Sequence, residues 1–542
     1  MAVQEGEIRE EEEDEARVGS RKRKGAPRRL GKRKEPTAAV QEEWRWPYCS
    51  RYRSTCFLVM GFAFLLRVLV SLHSYSGAGT RPKFGDYEAQ RHWMEITVHT
   101  PVAEWYRNTT DNDLTWWGLD YPPVTAYQSF VHGWMIHAVE PEAVALHSSR
   151  GYESPSSKIL MRWTVLSSDM LVFFPAALWF INEFYSKYRE KQRVWALAMV
   201  LLHPALMLID HGHFQYNCIS LGLAIAAAAA VISERRLLAC VLFSLSLNHK
   251  QMSAYYAPAF LAHLLGRCFQ SKNLFQALFG VIELGITVIL TFTVCWWPYL
   301  ESKETALELL SRLAPMQRGL YEDYVANFWC GTAMLFKWKQ QFAMGTLAKL
   351  ALGATISACL PSMVQQIYAP SRKGFVYSML NCSLAFYFFS YQVHEKSVLL
   401  PVIPVSLLAI EEPQVVQWFI PFATFSMLPL LLRDGLLLPY IALMLLFFLI
   451  SRFPTYSFER SVATSHPRLT RQLPTGFVVS SVLGAGVLHL MYFGLQPPRR
   501  YPYLFEALIM AYTFAHFVPL ALYMNWKQWS LPRDVTVKQK LV

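Results

Sequence analysis

The chain has 542 residues, of which 53% are hydrophobic, 15% aromatic and only 17% charged, and its formal net charge is +12. A soluble domain carries nearer a quarter of charged residues, so this composition excludes an ordinary soluble protein. A helix needs about 20 mostly apolar residues to cross a bilayer. Runs of that kind recur along the chain and predict an all-α polytopic membrane protein. A closed β-barrel would instead show short alternating strands.

Residues 1–54 are predicted to form a disordered cytosolic tail. An acidic stretch at 5–15 precedes the basic stretch RKRKGAPRRLGKRK at 21–34. Such a basic block can bind nucleic acid, but its place ahead of the first apolar run fits the excess of Lys and Arg on the cytosolic side of membrane proteins. We therefore expect a cytosolic N-terminus and no nucleic-acid partner.

The apolar runs predict one multi-span domain over 55–530, followed by a cytosolic tail at 531–542. The runs lie at 55–73, 159–182, 194–210, 214–233, 237–263, 276–297, 343–363, 375–391, 397–410, 414–432, 435–451, 474–494 and 503–525, with a weaker candidate at 122–139. They predict about 12–14 transmembrane helices. Two long connections, 74–158 and 299–335, are then lumenal.

Three further features bear on the membrane and its sides. Asn108 begins an Asn-Thr-Thr glycosylation sequon, which is useful only in a lumenal loop. The next connection, 183–193, is rich in Lys and Arg, as a cytosolic loop should be. Lys538 and Lys540 resemble a dilysine retrieval signal of the endoplasmic reticulum (ER), or are two ordinary exposed lysines. The sequence thus predicts an ER membrane protein whose unusual polar motifs face the lumen.

Ionisable residues close to the apolar runs are the first candidates for chemistry, because charge at membrane depth is costly and usually faces a cavity or a partner. They form five clusters: Asp86 with Glu88; Asp210, His211 and His213; His249 with Lys250; His394, Glu395 and Lys396; and Arg312, Arg318, Glu322 and Asp323. A transporter could use such groups, but transporters usually carry a repeated pattern of interrupted helices. The long, aromatic and acidic loop 74–158 favours carbohydrate recognition instead.

Five motifs, in this order, carry a resemblance to a known family. They are GDYEAQRHWMEIT (85–97), WGLDYPPVTAYQS (117–129), DHGHFQYN (210–217), RGLYEDYVANFWC (318–330) and VHEKSVLLP (393–401). Together they resemble the ER α-1,3-glucosyltransferases that use dolichyl phosphate glucose, which belong to the GT-C class of membrane glycosyltransferases. The resemblance runs from about residue 55 to beyond 400 and leaves out the N-terminal tail.

The resemblance implies transfer of the first glucose from dolichyl phosphate glucose, in α-1,3 linkage, to the lipid-linked Man(9)GlcNAc(2) oligosaccharide of protein N-glycosylation. A β-linked donor and an α-linked product require inversion, hence a single displacement that needs a base but no protein nucleophile. No cofactor is implied. The alternatives are the sister enzyme that adds the second glucose and, from another class, a lipid-linked sugar transporter.

Roles for individual residues follow from the resemblance and the chemistry. Asp86 is expected to be the general base, with Glu88 as possible support, although Asp86 could instead cap a helix or form a lumenal ion pair. Candidates for the donor phosphate are His394, Lys396, Arg312 and Arg318, each of which could equally pair with a neighbouring acid. Candidates for substrate binding are Trp117, Asp120, Tyr121, His213, Gln215, Tyr216 and Asn217. No essential metal is expected, since a helical HxH motif points its two rings about 200° apart.

Overall fold

The computed structural model describes residues 51–313, 319–320, 324–333, 335–452 and 473–532 of the chain. Helices dominate this part of the protein, and none of the described residues forms a β-strand. The predicted N-terminal tail up to residue 50 and the C-terminal tail from 533 lie outside the described residues. The same is true of one candidate phosphate ligand, Arg318.

The helices are numbered here in chain order, short helical turns aside. They are α1 Arg51–Ser71, α2 Asp86–His99, α3 Pro123–His137, α4 Pro155–Phe184, α5 Glu190–Phe214, α6 Asn217–Ile232, α7 Arg236–His249, α8 Ala257–Phe269, α9 Leu274–Trp296, α10 Lys303–Leu313, α11 Met344–Tyr368, α12 Arg372–Phe389, α13 Leu399–Leu407, α14 Pro413–Phe425, α15 Leu428–Arg433, α16 Leu437–Arg452, α17 Thr475–Gly494 and α18 Leu504–Trp529.

Seven of these helices in the described part of the chain are long and apolar enough to cross a membrane: α1, α4, α5, α9, α11, α17 and α18. Shorter apolar helices, among them α6, α7 and α16, accompany them. The prediction of an all-α polytopic membrane protein is therefore confirmed. The exact number of spans stays a prediction.

Burial differs strongly between the spanning helices. The most apolar part of α5 is 94% buried, so this helix forms the centre of the bundle, whereas the corresponding part of α17 is only 11% buried. Leu and Phe side chains exposed on the outer helices suit contact with lipid tails, where apolar surface carries no cost. The centre of the bundle therefore lies around α5, whose last residues belong to the motif DHGHFQYN.

One apolar run does not form the single span that its length suggested. Residues 237–263 divide into α7 and α8, because the chain leaves the helix at Lys250 in an extended conformation and makes a 3-10 turn over Gln251–Tyr256. The prediction of one helix there is wrong. This break places Lys250 at a helix end, where a charged side chain is easier to accommodate than within a span.

The two long connections pack against each other. The guanidinium of Arg312, in α10, donates hydrogen bonds to the backbone oxygens of Gly118 (2.8 Å) and Leu119 (3.1 Å) in the first loop. Arg107 forms an exposed ion pair with Glu308 at 2.9 Å. Because their described parts touch, loops 74–158 and 299–335 meet at the same end of the helix bundle; that this end is lumenal stays a prediction.

A buried group of charged residues joins α1, α4 and α5 within the bundle. Arg67 pairs with Asp169 and also donates to the backbone oxygen of Leu201 at 2.9 Å. The imidazole Nε2 of His211 lies 2.9 Å from the same Asp169 oxygen. All three charged side chains are fully buried. In apolar surroundings the Arg67 and Asp169 charges compensate each other, and His211 adds a hydrogen bond to Asp169.

Replacing Asp169 with Leu should therefore destabilise the bundle, because it leaves the Arg67 charge buried and uncompensated. Breaking such a pair costs about 3–5 kcal/mol. The thermal unfolding midpoint of the detergent-purified variant should fall accordingly. The double variant Arg67→Met/Asp169→Leu should be less destabilised than Asp169→Leu alone, and equal or greater loss in the double variant would contradict this account.

Candidate active site

Asp86 is the first residue of α2, and a tight backbone contact fixes its position. A Cβ atom at Gly85 would lie 2.5 Å from the Ser76 Oγ and 2.6 Å from the Ser76 carbonyl carbon, so only glycine fits before Asp86. The Asp86 backbone N–H donates to the Ser76 Oγ at 3.3 Å. The Ser76 N–H donates in turn to the backbone oxygen of His213 at 3.0 Å. Ser76 thus holds Asp86 beside the end of α5.

Three donors from two other segments, the end of α5 and the turn before α13, converge on one oxygen of Asp86. The Nε2 of His213 lies 2.9 Å from Asp86 Oδ2, and the side-chain amide of Gln215 and the ammonium of Lys396 also donate to Oδ2. The ammonium lies 3.1 Å from His213 Nε2 as well. Residues predicted separately as substrate and phosphate ligands therefore form one cluster with the predicted base.

The other carboxylate oxygen of Asp86 is differently placed. Within the described part of the chain Oδ1 makes no hydrogen bond, and the Asp86 side chain remains 23% exposed. Three donors thus occupy Oδ2, which leaves Oδ1 as the oxygen with capacity for a further hydrogen bond. Asp86 does not act as a helix cap, because the N-cap residue is Gly85.

The His213 ring is held from its opposite side by Asp434. Its Nδ1 lies 2.5 Å from Asp434 Oδ2, and both side chains are almost fully buried. Because a carboxylate faces each ring nitrogen, the ring is held in one orientation and a proton is favoured on both nitrogens, so Nε2 can donate to Asp86. Asp434 was not predicted as a site residue, although it lies between two apolar runs, which is a signal that could have singled it out.

A chain of buried polar side chains continues behind Gln215. The Lys250 ammonium donates to the side-chain oxygens of Gln215 (3.1 Å) and Asn217 (2.7 Å). The Asn217 amide donates to Asp210 Oδ1 at 2.7 Å. Because Lys250 takes the amide oxygen of Gln215, the amide nitrogen must face Asp86. Lys250 and Asp210 are therefore positioned to orient Gln215 rather than to meet a substrate directly.

The electrostatics of the cluster keep Asp86 ionised. Burial raises the pKa of Asp86, but the charges of Lys396 and His213 and their hydrogen bonds outweigh burial and hold this pKa well below its usual range. For Lys396, burial lowers the pKa, yet the carboxylates of Asp86 and Glu395 produce a net rise. The resting site is thus a carboxylate and an ammonium in contact.

Glu88 belongs to a different group of residues. Both of its oxygens accept hydrogen bonds from Arg91, each at 2.8 Å, and Arg91 also pairs with Glu95 at 2.7 Å. Burial raises the pKa of Glu95, but the neighbouring His92 and Arg91 lower it overall to about 2. Among the described residues Glu88 makes no contact with Asp86, so the structure places it in the packing of the first loop.

The predicted aromatic ligands of the first loop lie close to this polar chain. The Lys250 ammonium lies 4.7 Å from the centre of the Tyr121 ring. The backbone oxygen of Asp120 accepts from Gln251 at 3.1 Å, and the indole N–H of Trp117 donates to the Lys83 oxygen at 2.6 Å. Tyr121 thus contacts Lys250, which is hydrogen-bonded to Gln215 of the Asp86 cluster, whereas the indole of Trp117 is hydrogen-bonded within the first loop.

Three further predicted residues have mainly structural contacts. Tyr216 is buried and shares a 2.6 Å hydrogen bond with Thr164. Arg312 is directed at carbonyl groups of the first loop, as described above. The His394 side chain accepts from the backbone N–H of Ser397 and begins the turn that carries Lys396. Asn108, the predicted glycosylation site, is exposed.

The motif Asp210-His211-Gly212-His213 does not converge on one point. His211 contacts Asp169, His213 contacts Asp86 and Asp434, and Asp210 accepts from Asn217 and from the Cys218 backbone N–H at 2.7 Å. Three side chains thus face three different partners. That no metal is essential stays a prediction.

Comparison with known proteins identifies the family of this chain. A profile of the ALG6, ALG8 glycosyltransferase family matches residues 63–523. A relative from Arabidopsis thaliana, named "Probable dolichyl pyrophosphate Man9GlcNAc2 alpha-1,3-glucosyltransferase", is 52% identical over 91% of this chain and 93% of its own length. The "Dolichyl pyrophosphate Man9GlcNAc2 alpha-1,3-glucosyltransferase" of Gallus gallus is 41% identical over 85% of this chain and 94% of its own.

Among solved structures, the crystal structure of ArnT from Cupriavidus metallidurans in the apo state is similar at a TM-score of 0.38. The two chains are 12% identical, and the match covers 88% of this chain and 78% of that one. The family profile spans the Asp86 cluster and nearly all the described helices. The chain belongs to the ALG6, ALG8 glycosyltransferase family and is a hexosyltransferase of the membrane.

Proposed function

We propose that this protein transfers the first glucose from dolichyl phosphate glucose, in α-1,3 linkage, to Man9GlcNAc2 carried on dolichyl pyrophosphate. The observation that carries the proposal is the match along most of the chain to relatives named for that transfer, at 41% and 52% identity. The Asp86 cluster supports it, because an ionised carboxylate with one open oxygen is what an inverting transfer needs.

Asp86 is the general base of the proposed reaction. Its Oδ1 takes the proton of the acceptor hydroxyl while that hydroxyl oxygen attacks the anomeric carbon and the phosphate leaves on the opposite face. The three donors on Oδ2 keep the carboxylate ionised and fix its orientation. A base with so low a pKa is weak, but the hydroxyl becomes more acidic as its bond to carbon forms, so proton transfer late in the step suffices.

Lys396 acts first on the carboxylate of the proposed base, Asp86. Its ammonium contacts Asp86 and leaves hydrogens that can point to a bound phosphate. In an inverting displacement the base and the leaving group lie on opposite faces of the sugar, which separates their ligands in space. We therefore assign Lys396 chiefly to holding Asp86 ionised. His394, Arg312 and Arg318 stay candidates for the phosphate.

The sidedness of the site is part of the same proposal. We place the protein in the ER membrane with a cytosolic N-terminus and the Asp86 cluster in the lumen. Contact between loops 74–158 and 299–335 supports a common side for them. The exposed Asn108 sequon in the first loop favours the lumen for that side.

A defined transfer assay tests the proposed function. Detergent-purified protein, dolichyl phosphate glucose and either Man9GlcNAc2 or its singly glucosylated form on a lipid carrier are incubated, and the glycans are analysed by mass. We expect one hexose added to Man9GlcNAc2 and none to the glucosylated acceptor. Transfer only to the glucosylated acceptor would identify the second-glucose enzyme instead, and no transfer to either would refute the proposal.

Substituting Asp86 with Asn should lower kcat by about 10²–10⁴-fold, because the amide cannot take the acceptor proton. The change is isosteric, so the variant should fold and keep its KM for the donor, but its unfolding temperature should fall somewhat because Lys396 and His213 lose a charged partner. Asp111→Asn, at an exposed position of the same loop, serves as the matched control. A folded Asp86→Asn variant with more than a tenth of wild-type kcat would exclude Asp86 as the base.

Removing the charge of Lys396 should change the pH dependence of the reaction. In the wild type the low pKa of Asp86 keeps the base ionised, so kcat/KM should not fall on the acidic side until about pH 4 or below. In Lys396→Met the opposing effect of burial raises that pKa, and kcat/KM should begin to fall at a higher pH. Lys83→Met, an exposed lysine, is the control, and superimposable normalised profiles would contradict the assignment.

A further inference from the structure

A cavity whose lining includes Glu395 and Arg433 has no part in the chemistry described above. Its volume is about 400 Å³, within the range of pockets that hold small molecules. Tyr324, Glu395, Arg433, Tyr492, Tyr503 and Glu506 provide its polar and aromatic lining. These residues come from the ends of α15, α17 and α18 and from the two connections that precede α11 and α13.

The cavity shares two stretches of backbone with the active site. Glu395 directly precedes Lys396, which contacts Asp86, and Arg433 directly precedes Asp434, which holds His213. Consecutive Cα atoms are about 3.8 Å apart. The wall of the cavity is therefore one residue along the chain from two residues of the Asp86 cluster.

The lining suits a neutral, hydroxyl-rich ligand. Two carboxylates and one guanidinium among the described lining residues give a formal charge of −1, which disfavours a phosphate or diphosphate. Arg433 and Glu395 lie 3.6 Å apart, and the Tyr492 hydroxyl donates to Glu506 at 3.2 Å, so both carboxylates are already oriented. Oriented acids are good hydrogen-bond acceptors for sugar hydroxyls.

Aromatic surface is available beside these acids. The Tyr503 side chain is 62% exposed, and its ring centre lies 5.8 Å from that of Tyr324. An exposed ring next to carboxylates offers a face for the C–H groups of a sugar and acceptors for its hydroxyls. Lipid tails would use only the apolar part of this wall and would make no hydrogen bonds to its acids.

We propose that this cavity binds mannose residues of the acceptor oligosaccharide other than the one that receives glucose. The inference rests on the proposed function, which supplies a mannose-rich acceptor. Binding energy from such remote sugars can orient the reacting hydroxyl towards Asp86. The cavity then makes the enzyme favour a complete acceptor over a truncated one.

Acceptor kinetics test the proposal. With saturating dolichyl phosphate glucose, kcat/KM is measured for lipid-linked Man9GlcNAc2 and for a shorter lipid-linked acceptor that keeps the accepting mannose but few others. The ratio of the two values should fall about tenfold in Tyr503→Ala and about threefold in Glu506→Gln. Tyr501→Ala, an exposed tyrosine two residues away and outside the cavity, should keep the wild-type ratio.

An unchanged ratio in both cavity variants would overturn the inference, and so would a rise in KM for the donor alone, which would assign the cavity to the donor. Fluorescence anisotropy of a labelled, soluble Man9GlcNAc2 glycan gives a readout independent of turnover. Wild-type protein should bind it more than threefold more tightly than Tyr503→Ala, and equal binding would overturn the inference. A wild type that transfers no glucose refutes the proposed function, while the anisotropy still decides the cavity.

Discussion

The contact between Asp86 and three donors from distant parts of the chain is the interaction on which the site depends. Its members lie at the start of α2, at the end of α5 and in the turn before α13. A charged carboxylate beside an apolar bundle is stable only with compensation. The cluster therefore joins separate helices at the place where we propose that the sugar is transferred.

A layered polar arrangement supports that contact. Asp434 holds His213 from behind, and Lys250 fixes the amide of Gln215. Neither residue needs to touch a substrate to matter for the reaction. The Arg67 and Asp169 pair, deeper in the bundle, secures the helices that carry these side chains. Stability and chemistry thus use different sets of buried charges.

Much of the fold could be predicted from the sequence, because spans depend on local composition. The runs of apolar residues predicted most helices to within a few residues, and the carboxylate after the first span was predicted as the base. What local pattern cannot show is which side chains meet across the bundle. Glu88 lies two residues from Asp86 yet pairs with Arg91, and Lys396 reaches Asp86 from more than 300 positions away.

Two features of the structure were not predicted, because the local sequence does not record them: the role of Asp434 and the division of residues 237–263 into two helices. Asp434 sits in a short turn between two apolar runs, a position that marks it as unusual, but only its contact with His213 shows what it does there. The division of 237–263 into two helices depends on the extended backbone at Lys250, which hydropathy does not record. The base itself keeps its role as a prediction until variants are assayed.

The unequal use of the two Asp86 oxygens has a consequence for how the catalyst is restored after each cycle. Turning the carboxylate around would break every bond to Oδ2 at once, so a proton caught on Oδ1 has no inward route along the cluster. If Asp86 is the base, as proposed, this proton must leave from Oδ1 once the product has moved away. In the proposed reaction, Asp86 can therefore act as a base again only after the glucosylated glycan has left the site.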